Sequence, residues 1–179
     1  MSEAPNLRFE EIQYSRQWWL WLTIVAIVAL TVGICGYGLV EQLVYGRPFG
    51  NRPMSDTGLL VFAPVILVFD IGLLALFLAA NLSTQVRDDG LYLRYFPFHL
   101  SFHRLPLENM AAVEAVTYSP LRDYGGWGIR YGRGGKAYNP TGNRGVRISY
   151  LNGRHILIGS QRPEELARAI ESLRPTDGR

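Results

Sequence analysis

Residues 18–40 read WWLWLTIVAIVALTVGICGYGLV, and residues 58–80 read GLLVFAPVILVFDIGLLALFLAA. The first run carries no formal charge, and its length matches the hydrocarbon layer of a bilayer. Trp18, Trp19 and Trp21 crowd its start and Tyr37 lies near its end, as in the aromatic belt at a membrane–water interface. A secretory signal peptide fits less well, because the run is too long, Glu10 and Glu11 precede it, and no convincing small-x-small cleavage pattern follows. The second run holds one acid, Asp70, near its middle. A central aspartate costs about 2.5–3.5 kcal/mol on insertion, while each Leu, Ile, Phe or Val returns about 0.3–0.6 kcal/mol. The run contains fifteen such residues, so their return of about 4.5–9 kcal/mol exceeds the penalty. The expectation is a transmembrane α-hairpin over residues 18–80, with helices at about 18–40 and 58–80.

Small residues recur along both runs. Ala26, Ala29, Gly33 and Gly36 form one stripe, and Gly72, Ala75 and Ala79 another. Such stripes permit close helix approach, either within the hairpin or between copies of the chain. Asp70 either fixes that pairing through a hydrogen bond or serves a function, since intramembrane acids mark sites. Pro64 is expected to kink the second helix. Asp70, Gly33 and Gly36 are therefore the candidate polar and packing positions inside the membrane. The connector 41–57, with Gly46, Pro48, Gly50 and Pro53, reads as a turn region.

Two spans put both termini on one side. Arg8, Arg16, Arg87 and Arg94 flank the hairpin, against Arg47 and Arg52 in the connector. The positive-inside rule then makes the termini cytoplasmic. Residues 1–17 become a cytoplasmic juxtamembrane segment. Leu7, Phe9, Ile12 and Tyr14 with Arg8 and Arg16 suit either a short interfacial helix or a segment docked on the domain that follows.

After the hairpin the apolar period changes to two. Segments 82–87 and 91–96 flank Asp88-Asp89-Gly90, a hairpin signal, and 100–105, 111–118, 127–131, 145–151 and 155–159 read as further strands. Asn152-Gly153 marks the last turn. A helix over 163–174 follows, with Pro163 in its first turn, Glu164 and Glu165 at its positive end, and Leu166, Ile170 and Leu173 in one stripe. Seven strands and a terminal helix predict an α+β domain over 81–179, a curved antiparallel seven-stranded sheet or barrel capped by that helix.

The chain resembles bacterial PH-like (pleckstrin-homology-like) two-helix membrane proteins, a family of unknown function. The resemblance is carried by Phe9-Glu10-Glu11-Ile12-Gln13-Tyr14, Asp88-Asp89-Gly90-Leu91, Tyr124-Gly125-Gly126-Trp127-Gly128-Ile129-Arg130, Asn143-Arg144-Gly145-Val146 and Ile158-Gly159-Ser160-Gln161-Arg162-Pro163-Glu164-Glu165-Leu166. It implies a bacterial inner-membrane location and no catalytic or ligand residues.

The net charge of +3 is concentrated. Arg122, Arg130, Arg133, Lys136, Arg144, Arg147 and Arg154 are opposed between 122 and 154 only by Asp123, which suits an anionic surface or an acidic protein. Within this stretch Tyr124, Trp127, Arg130, Arg133, Lys136 and Arg144 combine aromatic anchors with cations and form the candidate interaction surface. The competing reading is a solvated hairpin whose Trp127 packs inward. A phosphate-loop reading fails, since the pattern needs glycine at Arg130 and Ser or Thr at Ala137. His99 and His103 share a strand face but lack a third ligand nearby. No Gly-x-Ser-x-Gly elbow occurs. The expectation is a non-enzymatic binding or scaffold module without cofactor or metal, contacting membrane lipid, a protein partner or another copy, and not nucleic acid. The alternative is an accessory subunit of a larger membrane complex, docking through its helices.

Overall fold

The computed structural model describes residues 6–15, 17–107, 109–132 and 135–173. They form two compact units, one of residues up to Ser15 together with those from Ala79 onward, the other from Arg16 to Leu78.

The second unit is a helical hairpin. Helix α1 spans Trp18–Leu39 and continues as a π-helical turn, Val40–Val44, and α2 spans Asp56–Ala79, continuous through Pro64. At 1.5 Å per residue, α2 is about 36 Å long, enough to cross a hydrocarbon layer of about 30 Å. Both helices are long and apolar enough to cross a membrane. Their apolar side chains point outward all round: Leu30, Val61 and Val68 are among many left exposed. A core helix of a water-soluble domain would bury such a surface.

The first unit begins with strand β1, Leu7–Tyr14, so the amino-terminal segment docks on the domain and forms no interfacial helix. The remaining strands are β2 (Asn81–Arg87), β3 (Gly90–Phe96), β4 (His103–Leu105), β5 (Met110–Thr117), β6 (Gly128–Gly132), β7 (Gly135–Asn139), β8 (Arg144–Tyr150) and β9 (His155–Gly159). A short helix α3, Pro120–Tyr124, precedes β6, and α4, Pro163–Glu171, follows β9. The strands make two sheets, β1-β2-β3-β4 and β5-β8-β9-β7-β6. Among the described residues nine strands thus replace the expected seven, and the sheets do not close into a single barrel. Nor is the pairing wholly antiparallel, because β7 runs parallel to β9. The strands missed in the sequence are β1, which the helical hairpin separates from its partner, and β7, hidden in a glycine-dense stretch.

The core lies between the sheets. Phe9, Leu82, Val86, Leu91, Leu93 and Tyr95 from the first sheet meet Tyr138, Val146, Ile148 and Ile158 from the second. Leu166 and Ile170 of α4 complete it, fully buried. Strand β1 holds both ends of that helix. Arg8 donates to Ser172 at 3.0 Å and to Asp88 at 2.5 Å, and the latter bond keeps the Asp88 carboxyl below its usual range.

Candidate interaction surface

The glycine-dense segment is built from local stops and starts. Pro120 opens α3, and Gly125, at φ +72°, closes it while its N–H donates to Leu121 O at 2.9 Å. Asp123 accepts from the Ser119 N–H at 2.8 Å, which with the neighbouring Arg122 holds its carboxyl below the ordinary range. Tyr124 then turns inward. It is 3% exposed and meets Tyr118 edge-to-face at 5.8 Å in a small core with Ala137 and Leu157. Burial raises the Tyr124 phenol and pushes that of Tyr118 up to about 12. Tyr124 therefore gives the surface no side chain.

The other predicted residues separate. Trp127 is half-buried, and its indole N–H donates to Gly142 O at 2.9 Å, tying together the two ends of the β6–β7 excursion. Arg130 donates through Nε to Trp127 O at 2.8 Å and remains exposed. Arg144 pairs with Glu164 of α4, so its charge is already matched. Lys136 lies between two phenol rings, with Nζ 5.4 Å from the centre of Tyr131 and 4.7 Å from that of Tyr138. Partial burial opposes its charge, but the two tyrosine hydroxyls outweigh that and raise its pKa. Arg133 lies outside the described residues.

A groove of about 620 Å³ runs beside Lys136, lined also by Tyr131, Tyr150, Asn152, Arg154 and His155. Among the described residues no Asp or Glu lines it. The parallel pairing of β7 with β9, Lys136 opposite Ile156, brings Lys136 next to His155 and Arg154. Gly135 permits this approach: at φ +92° it carries no Cβ where one would collide with the His155 carbonyl oxygen. His155 Nδ1 is 3.0 Å from Ser149 Oγ. The sequence counts Arg154 in the basic excess, but neither it nor His155 is among the candidate surface residues. Their signal was the Asn152-Gly153 turn, which predicts that the next two residues stand at a strand mouth.

In the helical hairpin Asp70 is 4% exposed, and the Thr31 hydroxyl donates to its Oδ2 at 2.5 Å. Gly33, Gly36 and Gly72 have open space where a Cβ would stand, and Gly36 borders a cleft whose other wall is Ala63, Pro64, Ile66 and Leu67 of α2. The close approach within the hairpin is at Gly38, packed on the Phe49 ring, so the small-residue stripes do not form the intra-hairpin contact. That cleft, of about 300 Å³, is lined by Thr31, Cys35, Leu39, Ala63, Pro64 and Leu67, among others. The rings of His99 and His103 meet edge-to-face at 4.4 Å. Among the described residues no three His, Cys, Asp or Glu gather as metal ligands.

Residues 3–175 match a family described as "Family of unknown function (DUF6141)". No curated protein and no solved structure matches the chain.

Proposed function

We propose that this chain, which belongs to the DUF6141 family, is a non-enzymatic, membrane-anchored binding module that receives an acidic segment of a partner protein in the groove beside Lys136. The carrying observation is the makeup of that groove: Lys136 and Arg154 with two tyrosines, and no carboxylate among the described residues of its lining. Cations beside phenol rings are the residue types that anchor protein interfaces. Strand β6 stands at the edge of its sheet, offering backbone groups alongside.

The two apolar helices serve as the anchor, crossing a bacterial inner membrane with both termini in the cytoplasm, in line with the charge of the flanks. The strand order supports a PH-like architecture. With the β6–β7 hairpin set aside, four strands form one sheet, β5, β8 and β9 form the other, and a terminal helix packs across both. The additional hairpin supplies Tyr131, Gly132, Gly135 and Lys136 to the groove.

The test is a photo-crosslinking residue at Tyr131 in the full-length protein in its own membrane. The expected outcome is a discrete adduct, lost on combined Lys136→Glu and Arg154→Glu. An adduct that survives charge reversal, or none at all, removes the groove from the reading.

A second reading, an accessory subunit of a larger membrane complex, is favoured by one observation. Gly33 and Gly72 are exposed, with open space where a Cβ would stand, and so leave flat stretches of helix. Asp70 is turned to Thr31 and does not belong to that face. Gly33→Leu would detach a stoichiometric integral-membrane partner in mild detergent under this reading, and leave copurification unchanged under the first.

A further inference from the structure

The loop Pro97–Phe102 joins β3 to β4 and carries the most exposed apolar pair of the β unit. Phe98 is 73% exposed and Leu100 is 79%, the highest value of any large hydrophobic residue described. Between them stands His99, whose N–H donates to Tyr95 O at 2.8 Å, so the loop is fastened to the sheet while both apolar side chains stay largely exposed, the Phe98 ring 6.0 Å from that of Tyr95. No acidic residue lies in the loop.

Beside it the outer face of the first sheet is cationic and aromatic. Arg94 Cζ lies 4.9 Å from the Phe102 ring centre, and Arg87 Cζ lies 4.7 Å from Tyr92 and 5.7 Å from Phe102. Among the described residues neither arginine has a carboxylate ion pair. The nearby acids are engaged elsewhere, Asp89 with the Tyr92 hydroxyl and Glu10 with the Gln85 amide, each at 2.6 Å.

Chain connectivity fixes where this loop begins. Helix α2 ends at Ala79 and β2 starts at Asn81, which pairs with Phe96, the residue before the loop. Two residues of chain and one strand spacing put Phe96 within about 12 Å of the end of that helix. An anchor that holds α2 in lipid therefore keeps this loop within reach of the headgroup layer. Large apolar side chains flanked by arginines without a carboxylate partner among the described residues match that layer: hydrocarbon below, phosphates above.

We propose that Pro97–Phe102 is a lipid-contacting loop, with Phe98 and Leu100 seated among the acyl-chain ends of the anchoring bilayer and Arg94 on anionic headgroups. The proposal rests on the membrane-anchor reading and is independent of the groove.

The test uses single nitroxide labels on the full-length protein, in a Cys35→Ala background, in vesicles of phosphatidylcholine with about one quarter phosphatidylglycerol. Labels replace Phe98, Leu100, Leu30 of α1 and the exposed Leu151 of the β8–β9 turn. Lipid gives high collision with oxygen and low collision with a water-soluble nickel complex. The expected oxygen-to-nickel ratio at Phe98 and Leu100 is severalfold above that at Leu151. Arg94→Glu should lower the Leu100 ratio, and no change would remove the arginine from the proposal. A Leu100 label as open to nickel as Leu151, with Leu30 in lipid, overturns the loop proposal and leaves the anchor standing. Low collision with both reagents at Leu100 means protein contact and overturns it too. A Leu30 label in water overturns the anchor and the loop together.

Discussion

The carboxylate of Glu11 accepts the Ser160 hydroxyl at 2.6 Å, and its other oxygen accepts the Gln161 N–H at 2.7 Å. A residue that precedes the helical hairpin thereby fixes the turn into α4, near the far end of the chain. Glu11 is 8% exposed, and Ser160 also accepts the Arg162 N–H at 3.0 Å, so the cluster is shut off from solvent on most sides. Glu11→Ala leaves a hydroxyl and an amide N–H without their acceptor. The expected loss is about 1–3 kcal/mol, read as a lowered midpoint in chemical unfolding, with α4 exchanging its amide protons first.

The same strand explains how the two units are joined. Tyr14 pairs with Asn81, and the whole helical hairpin is inserted between these neighbours. Replacing residues 15–80 by Asn-Gly should therefore close β1 onto β2 with a two-residue turn and yield a monomeric domain that needs no detergent. Residues 81–173 alone lack β1 and uncover the inner face of Leu82 and Val86. That shorter fragment is expected to aggregate, as size-exclusion chromatography would show. If the fragment folds as well as the closed domain, β1 is dispensable and the assignment of two units is wrong.

What the sequence revealed depended on whether a signal was local. Trp18 and Ala79 bound the helices within a residue of expectation, because each apolar run carries its own length and composition. Asp88-Asp89 and Asn152-Gly153 turn as read, because a tight turn is chosen by its own residues. The candidate surface was legible only in part. Lys136 does line a groove, but its neighbours Arg154 and His155 arrive through a parallel pairing that no short window encodes. Tyr124 and Arg144 looked available until Tyr118 and Glu164, distant or across an element boundary, took them up. Gly33 and Gly36 have the spacing of a packing stripe, yet nothing stands within 4 Å of where a Cβ would be, because spacing marks a flat face and names no neighbour.

His99 gives the domain a pH response. Burial first, then the charges of His103 and Lys136, lower its pKa from the ordinary 6.5. A group with a depressed folded-state pKa adds stability above its unfolded value and loses it as pH falls toward the folded one. The closed domain should therefore melt at a lower temperature as pH drops from about 6.5 to about 5, well above the range where Asp88 and Asp123 titrate. His99→Gln keeps a polar side chain and removes this titration, so its melting temperature should vary less across that window. Equal slopes in both proteins would show that His99 is not the responsible group.

Inside the hairpin, Thr31 and Asp70 are not equivalent partners. The Thr31 hydroxyl has other acceptors in reach, Val28 O at 3.0 Å and Ile27 O at 3.1 Å, on its own helix. Asp70 is buried, and Thr31 is its hydrogen-bond partner from α1. Thr31→Val strands a polar group in apolar surroundings. Asp70→Leu removes it and leaves Thr31 satisfied by its own backbone. Interhelical hydrogen bonds in membranes contribute about 0.6 kcal/mol on average and about 1.7 kcal/mol at most, so Thr31→Val should lower hairpin stability by an amount in that range. Asp70→Leu should cost less or stabilise, since it also removes an insertion penalty of about 2.5–3.5 kcal/mol. Reversible unfolding of the full-length protein in bicelles measures both. The opposite order, with Asp70→Leu the more damaging, would mean that the carboxylate does work beyond holding α1 to α2.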